Sequence, residues 1–142
     1  MGRCLGMEIK LQGTVSSGFG EGKYFTSLDW VVEQFLNKLG FVPYPGTLNV
    51  DITENDWDSM VSFGHDGGVF IEPRNKTFCS AICYEVLIND RLVGAVVMPG
   101  ETKHPTGRIE IVAPVSIKDT LSIVDGDVVT LTLKKQKWRD KE

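Results

Sequence analysis

Phe78-Cys79-Ser80-Ala81-Ile82-Cys83-Tyr84-Glu85-Val86-Leu87-Ile88, then Asn89-Asp90, then Leu92-Val93-Gly94-Ala95-Val96-Val97-Met98, reads as a β-hairpin. Phe78, Ile82, Tyr84, Val86 and Ile88 fall on one face, the period-two pattern of a strand with one buried side. Asn89-Asp90 suits a tight turn, and the run from Leu92 to Met98 returns as the partner strand. The same alternation recurs on both sides of this hairpin. Ile9 and Leu11 alternate with Glu8 and Lys10, predicting a strand over 8–15. Leu48, Val50 and Ile52 alternate with Thr47, Asn49 and Asp51, predicting a strand over 47–53. Further on, 109–112 reads as a strand ended by Pro114, and Val124-Asp125-Gly126-Asp127 turns into a strand over 128–133.

One segment has helical period. Leu28, Val31, Val32, Phe35, Leu36 and Leu39 form a single apolar stripe, predicting a helix over 27–39. Ser27 or Asp29 is expected to cap its start, and Gly40 to supply the left-handed residue after its end. A helical turn is expected near Trp57 and another over 116–123, while 54–75 is otherwise the least regular part. Strands do not alternate with helices, so a doubly wound parallel sheet is excluded. The expected fold is mainly β: a single barrel of about six strands, closed or nearly so, with one flanking α-helix and short helical turns. The whole chain, 1–142, is read as one domain, with 1–6 outside the fold and 134–142 a charged tail.

Of the 142 residues, 42% are hydrophobic and 24% charged, a globular rather than a disordered composition. The net charge of -4 argues against a sequence-independent grip on nucleic acid, which requires clustered Lys and Arg. No apolar run is long enough to span a bilayer, and the start of the chain lacks the apolar stretch of a signal peptide. The three cysteines, Cys4, Cys79 and Cys83, lack Cys-x-x-Cys spacing. That usage points to a reducing compartment, hence cytoplasm, and to core or incidental thiols rather than a metal site.

Three features bear on chemistry. Gly18-Phe19-Gly20-Glu21-Gly22-Lys23 alternates glycine with other residues between a strand and a helix. Such a backbone can curl so that successive N–H groups hold an anion. The run fails both common nucleotide fingerprints: Ser17 and Tyr24 break a Walker-type loop, and Lys23 breaks a dinucleotide motif. Taken alone, its plainer reading is a flexible hairpin turn with a solvated lysine. Second, Pro45-Gly46 leads into Thr47-Leu48-Asn49, so a hydroxyl and an amide project from one strand face. Both are hard neutral donors of the kind Mg²⁺ accepts while it keeps waters and takes other ligands from phosphates. A merely polar outward face is the alternative. Third, Glu110 stands in an apolar strand between Ile109 and Ile111, on one face of the barrel mouth, after a loop dense in donors (Thr102, Lys103, His104, Thr106). An ordinary outward charge is the plainer reading.

Taken together and in order, these stretches resemble the archaeal CTP-dependent riboflavin kinases. The glycine run through Tyr24-Phe25 carries the resemblance, with Gly40-Phe41, Pro43-Tyr44-Pro45-Gly46-Thr47-Leu48-Asn49 and Gly94-Ala95-Val96-Val97-Met98-Pro99. Thr102 with His104, Ile109-Glu110-Ile111-Val112-Ala113-Pro114, Leu121 and Asp125-Gly126-Asp127 complete it. The resemblance implies a cradle-loop barrel and transfer of the γ-phosphoryl of CTP to riboflavin, giving FMN and CDP. It further implies that Gly18, Phe19, Gly20, Glu21, Gly22 and Lys23 wrap the nucleotide, with Val115, Ser116, Ile117 and Lys118 completing that site. Thr47 and Asn49 would hold one Mg²⁺, and Thr102 and Glu110 would meet the flavin. Glu110 is then the candidate to orient or deprotonate the acceptor hydroxyl. The expected partners are these small molecules alone, with no nucleic acid and no membrane, and the expected assembly is a monomer. Lys23 and Lys118 stand where the family also uses arginine, and lysine neutralises phosphate without the bidentate fork.

Two other functions compete. Leu121-Ser122-Ile123-Val124-Asp125-Gly126-Asp127-Val128-Val129 also looks like the swapped-hairpin DNA-binding regulators, but those carry basic surfaces. A flavin- or nucleotide-binding module without turnover would use the same residues.

Overall fold

The computed structural model describes residues 8–17, 25–63, 68–73, 81–99 and 107–134. The opening hairpin forms from Ala81 onward as its sequence predicts, and Phe78 to Ser80 lie outside the described residues. Strand β4 (Ala81–Ile88) pairs antiparallel with β5 (Leu92–Pro99), from Ala81 opposite Pro99 to Ile88 opposite Leu92. Asn89 and Asp90 both take positive φ, 52° and 56°, the geometry of a two-residue turn that matches strand twist. Asn89 also ties the turn to the next strand, donating from its N–H to the Thr130 carbonyl and accepting at Oδ1 from the Thr130 N–H.

The remaining strands are β1 (Glu8–Ser16), β2 (Leu48–Asp51), β3 (Val69–Ile71), β6 (Arg108–Val112) and β7 (Val128–Lys134). All pair antiparallel, in the order β3-β4-β5-β6-β2-β1-β7, and β7 pairs back onto β4. The ring β4-β5-β6-β2-β1-β7 therefore closes, and β3 hangs from β4 outside it. One edge of β4 is shared: β3 takes its first half at Ala81–Cys83 and β7 its second at Val86–Ile88. The six-stranded barrel read from the sequence is thus present. Strand β3 is an addition, drawn from the stretch that carries no clear alternation, and Lys134 belongs to β7 rather than to the tail.

Inward residues fill the ring. Val15, Val50, Tyr84, Val86, Ile88, Val96, Ile109, Ile111, Leu131 and Leu133 all belong to one buried cluster. Helix α2 (Glu54–Phe63) packs Met60 and Phe63 onto the same cluster. The sequence predicts only a helical turn near Trp57 here. The longer helix starts at Thr53, whose Oγ1 accepts from the Asp56 N–H at 3.1 Å, the side-chain cap that lets the first turn form.

A second cluster lies outside the wall. Helix α1 (Asp29–Gln34) continues as a π-helical turn over Phe35–Leu39 and closes on Gly40 at φ 88°. Trp30, Val31, Phe35 and Leu39 pack on the outward residues Val69, Ile71, Ala81, Cys83, Ala95 and Val112 of β3 to β6. Two expectations are corrected. The residue at the helix start is Leu28, with no side-chain cap, rather than Ser27 or Asp29. Leu36 leaves the predicted stripe and is 50% exposed, because the Gly40 N–H bonds to the Phe35 carbonyl, an i→i+5 bond that widens the last turn. Under this helix, burial pushes the Cys83 thiol up to about 12, so it is inert packing at neutral pH. Cys4 and Cys79 lie outside the described residues.

Gly94 has a steric reason. A Cβ there would sit 2.6 Å from the Val112 carbonyl, so β5 and β6 can approach only with glycine at this point.

Candidate functional site

In an antiparallel pair, residues directly opposite each other point to the same side of the sheet. One such row crosses the outer wall: Ser16 opposite Asn49, Asn49 opposite Glu110, and Glu110 opposite Val97. Thr47 precedes β2 by one residue, and its Oγ1 donates to Glu110 Oε1 at 2.8 Å. The structure therefore brings together the three residues that sequence reading singles out separately: the hydroxyl, the amide and the carboxylate. Glu110 is half-buried and lies on the outer face of the wall, not at the barrel mouth, because Ile109 and Ile111 on either side turn inward. One row further along, Arg108 Nε pairs with Asp51 Oδ1 at 2.9 Å. That pair takes up the nearest cation to Glu110 on its own strand.

Beside this row opens a cleft of about 210 Å³, lined by Tyr44 to Leu48, Ala113 and Val115 to Lys118. It joins Thr47 to the four residues implied for the nucleotide. The cleft is built by two connections held together, since the Tyr44 N–H donates to the Ala113 carbonyl at 2.8 Å. Helix α3 (Ile117–Leu121) starts at Ser116, whose Oγ accepts from the Asp119 N–H at 3.3 Å. Ile117 packs into the barrel core, which anchors this edge of the cleft. Val115 and Tyr44 are exposed, at 40% and 45%, and give the cleft an apolar side.

Lys118 Nζ pairs with Asp125 Oδ1 at 2.9 Å, and Ser17 Oγ donates to Asp125 Oδ2. The Ser17 hydroxyl first, then the Lys118 ammonium, hold the Asp125 carboxyl below the usual carboxylate range. This carboxylate thus connects the residue just before the glycine run to a cation lining the cleft. At the other end of the run, Thr26 is buried and its Oγ1 accepts from the Gly46 N–H at 2.9 Å. Both flanks of the run are therefore tied to residues in or next to the cleft. Gly18 to Lys23 themselves, and Thr102, lie outside the described residues. Sequence reading misses Ser17, Thr26, Tyr44 and Asp125 as parts of this site. Tyr44 and Asp125 stand in stretches that carry the family resemblance, but with no assigned role, and Ser17 enters only as a departure from a Walker-type loop. Nothing local reveals a partner a hundred positions away.

Among the described residues no group of three or more His, Cys, Asp and Glu converges as a metal site. The donor set here is of another kind: a hydroxyl, an amide and one carboxylate, all hard oxygen ligands. Because Thr47 gives its proton to Glu110, its oxygen keeps lone pairs for a cation. Such a set suits Mg²⁺, which binds few protein groups and completes its shell from phosphates and water.

A family model described as CTP-dep_RFKase, Domain of unknown function DUF120, matches residues 15–133. The chain belongs to this family, the one its motifs resemble. Among curated relatives, the riboflavin kinase of Methanocella arvoryzae is 41% identical over 128 residues, covering 87% of this chain and 56% of its own length. That of Methanosarcina mazei is 40% identical over 131 residues, covering 90% and 58%. That of Archaeoglobus fulgidus is 39% identical over 124 residues, covering 85% and 53%. The chain thus spans a little over half the length of the curated relatives it matches.

Proposed function

We propose that this chain is a riboflavin kinase that moves the γ-phosphoryl of CTP to the ribityl 5′-hydroxyl of riboflavin, releasing FMN and CDP. Family membership and the names of the relatives support the kinase reading. The observation that carries it in the structure is the Thr47–Glu110 hydrogen bond at 2.8 Å, with Asn49 opposite Glu110 and the cleft alongside.

Phosphoryl transfer asks a protein mainly for in-line positioning and charge stabilisation. In this reading the triphosphate lies along the cleft between Thr47 and Lys118, with the glycine run as its cover. Mg²⁺, held by Thr47 and Asn49, would neutralise charge on the phosphate oxygens. Lys118 exchanges its Asp125 partner for phosphate. Thr102 and Glu110 contact the flavin, and Glu110 receives the 5′-hydroxyl proton. Thr47 occupies Oε1, which leaves Oε2 as the accepting atom. A bond forms between the ribityl oxygen and the γ-phosphorus, and the bond from that phosphorus to the β-bridging oxygen breaks. No protein nucleophile is needed, and Cys83 is buried away from the cleft.

The test incubates the protein with riboflavin, Mg²⁺ and each nucleoside triphosphate in turn, then separates FMN from riboflavin. FMN is expected with CTP. No FMN with any donor overturns the kinase reading, and FMN from ATP but not CTP overturns the donor alone.

A further inference from the structure

Ser16 ends β1 in the same outer row as Asn49 and Glu110. Its Oγ is shut off from solvent and has no hydrogen-bond partner among the described residues. A buried hydroxyl without a partner is costly, and native proteins rarely keep one without a use. We propose that the Ser16 hydroxyl donates a hydrogen bond to the phosphate oxygens of the nucleotide bound beside Thr47 and Asn49. The inference rests on the nucleotide-binding reading above and adds a residue to it.

Three observations select phosphate as the partner. The row already holds an amide and a carboxylate facing the same side, and the carboxylate only accepts, so an anion there needs further donors. The next residue, Ser17, is bonded to Asp125, which holds Lys118 at the cleft, so β1 ends on the phosphate side of the site. The other buried hydroxyl without a partner among the described residues, Thr132 Oγ1, offers a contrast. Its row neighbours are Lys10 and Leu87, with no set of converging oxygen ligands, and no ligand is inferred there.

Calorimetric titration of Mg²⁺–CTP, without riboflavin, into the wild type, Ser16→Ala and Ser16→Thr tests this, alongside the thermal midpoint of each free protein. The alanine variant is expected to bind roughly tenfold more weakly, as loss of one hydrogen bond to a charged group predicts. Its midpoint should not fall, since the free protein loses only an unmet group. The threonine variant, which keeps the hydroxyl, should restore most of the affinity. Unchanged binding by Ser16→Ala overturns the proposal while the wild type still binds. A lower midpoint in Ser16→Ala, with weakened binding that Ser16→Thr does not restore, also overturns it by assigning Ser16 a packing role. A wild type that binds no Mg²⁺–CTP overturns the nucleotide reading itself, and this inference with it.

Discussion

The outer wall of the barrel changes character between β5 and β6. A single cross-strand row runs Val69, Cys83, Val97, Glu110, Asn49, Ser16. Its first half is apolar and lies under α1; its second half is polar and borders the cleft. The inner face shows no such break, because Tyr84, Val96, Ile111 and Leu48 continue as core throughout. One wall thus serves two purposes. Where a helix covers it, the outward residues add a second hydrophobic core. Where no described helix covers it, the same strand geometry spaces ligand-binding groups at fixed intervals. Groups built on paired strands hold position better than groups on loops, which suits a reaction that depends on alignment.

The largest effect belongs to the polar half. Glu110→Gln keeps the shape and a hydrogen-bond acceptor for Thr47 but removes the base. Its kcat for FMN formation is expected to fall roughly 10²–10⁴-fold, the usual worth of general-base catalysis, with little change in thermal midpoint. A variant with normal kcat across pH would remove Glu110 from proton transfer, though not from flavin binding.

The next effect belongs to the apolar half. Phe35 is fully buried between α1 and the wall and stacks edge-on with Phe41 at 5.7 Å between ring centres. Phe35→Ala should cost about 3–5 kcal/mol in denaturant unfolding, by lost transfer energy and the cavity left behind. The two halves meet where Val97 stands opposite Glu110, and this junction is where damage to one half would reach the other. If the halves are separate in function, the folded fraction of Phe35→Ala should bind Mg²⁺–CTP as the wild type does. Loss of binding in the folded protein would show that the helix sets the geometry of the Glu110 row.

Much of this division is legible in the sequence, and the exceptions have causes. Period-two alternation marks the barrel strands because each has one inward face, whereas β3 is three residues long and too short to show a period. Helix α2 hides because Met60 and Phe63, which pack into the barrel core, come from a sequence segment of low overall hydropathy. The π-helical turn depends on where Gly40 closes the helix, which apolar spacing does not encode. At the site, Thr47, Asn49 and Glu110 are each legible as residues out of place for a plain strand. Their meeting is not, because it depends on β2 pairing with β6, a register fixed across sixty positions. The Ser17–Asp125–Lys118 link and the Thr26–Gly46 bond are hidden for the same reason.

The smallest expected effect asks whether polarity on the outer wall always marks function. Thr132 is 3% exposed, its Oγ1 has no hydrogen-bond partner among the described residues, and its row there carries no other oxygen ligands. Thr132→Val keeps the branched shape and the strand preference while removing the unmet hydroxyl. The variant should gain about 1 kcal/mol in denaturant unfolding, the low end of the cost of an unsatisfied buried hydroxyl, and keep wild-type kcat and KM. Ser16→Ala on the other half should share the first property but not the second. If Thr132→Val instead loses stability, the hydroxyl has a partner such as a bound water, and lack of a bond at Ser16 loses its weight as a mark of ligand binding. If it gains stability with activity intact, an unmet hydroxyl on this wall has no effect on turnover by itself. The meaning of the one at Ser16 then comes from the row it stands in.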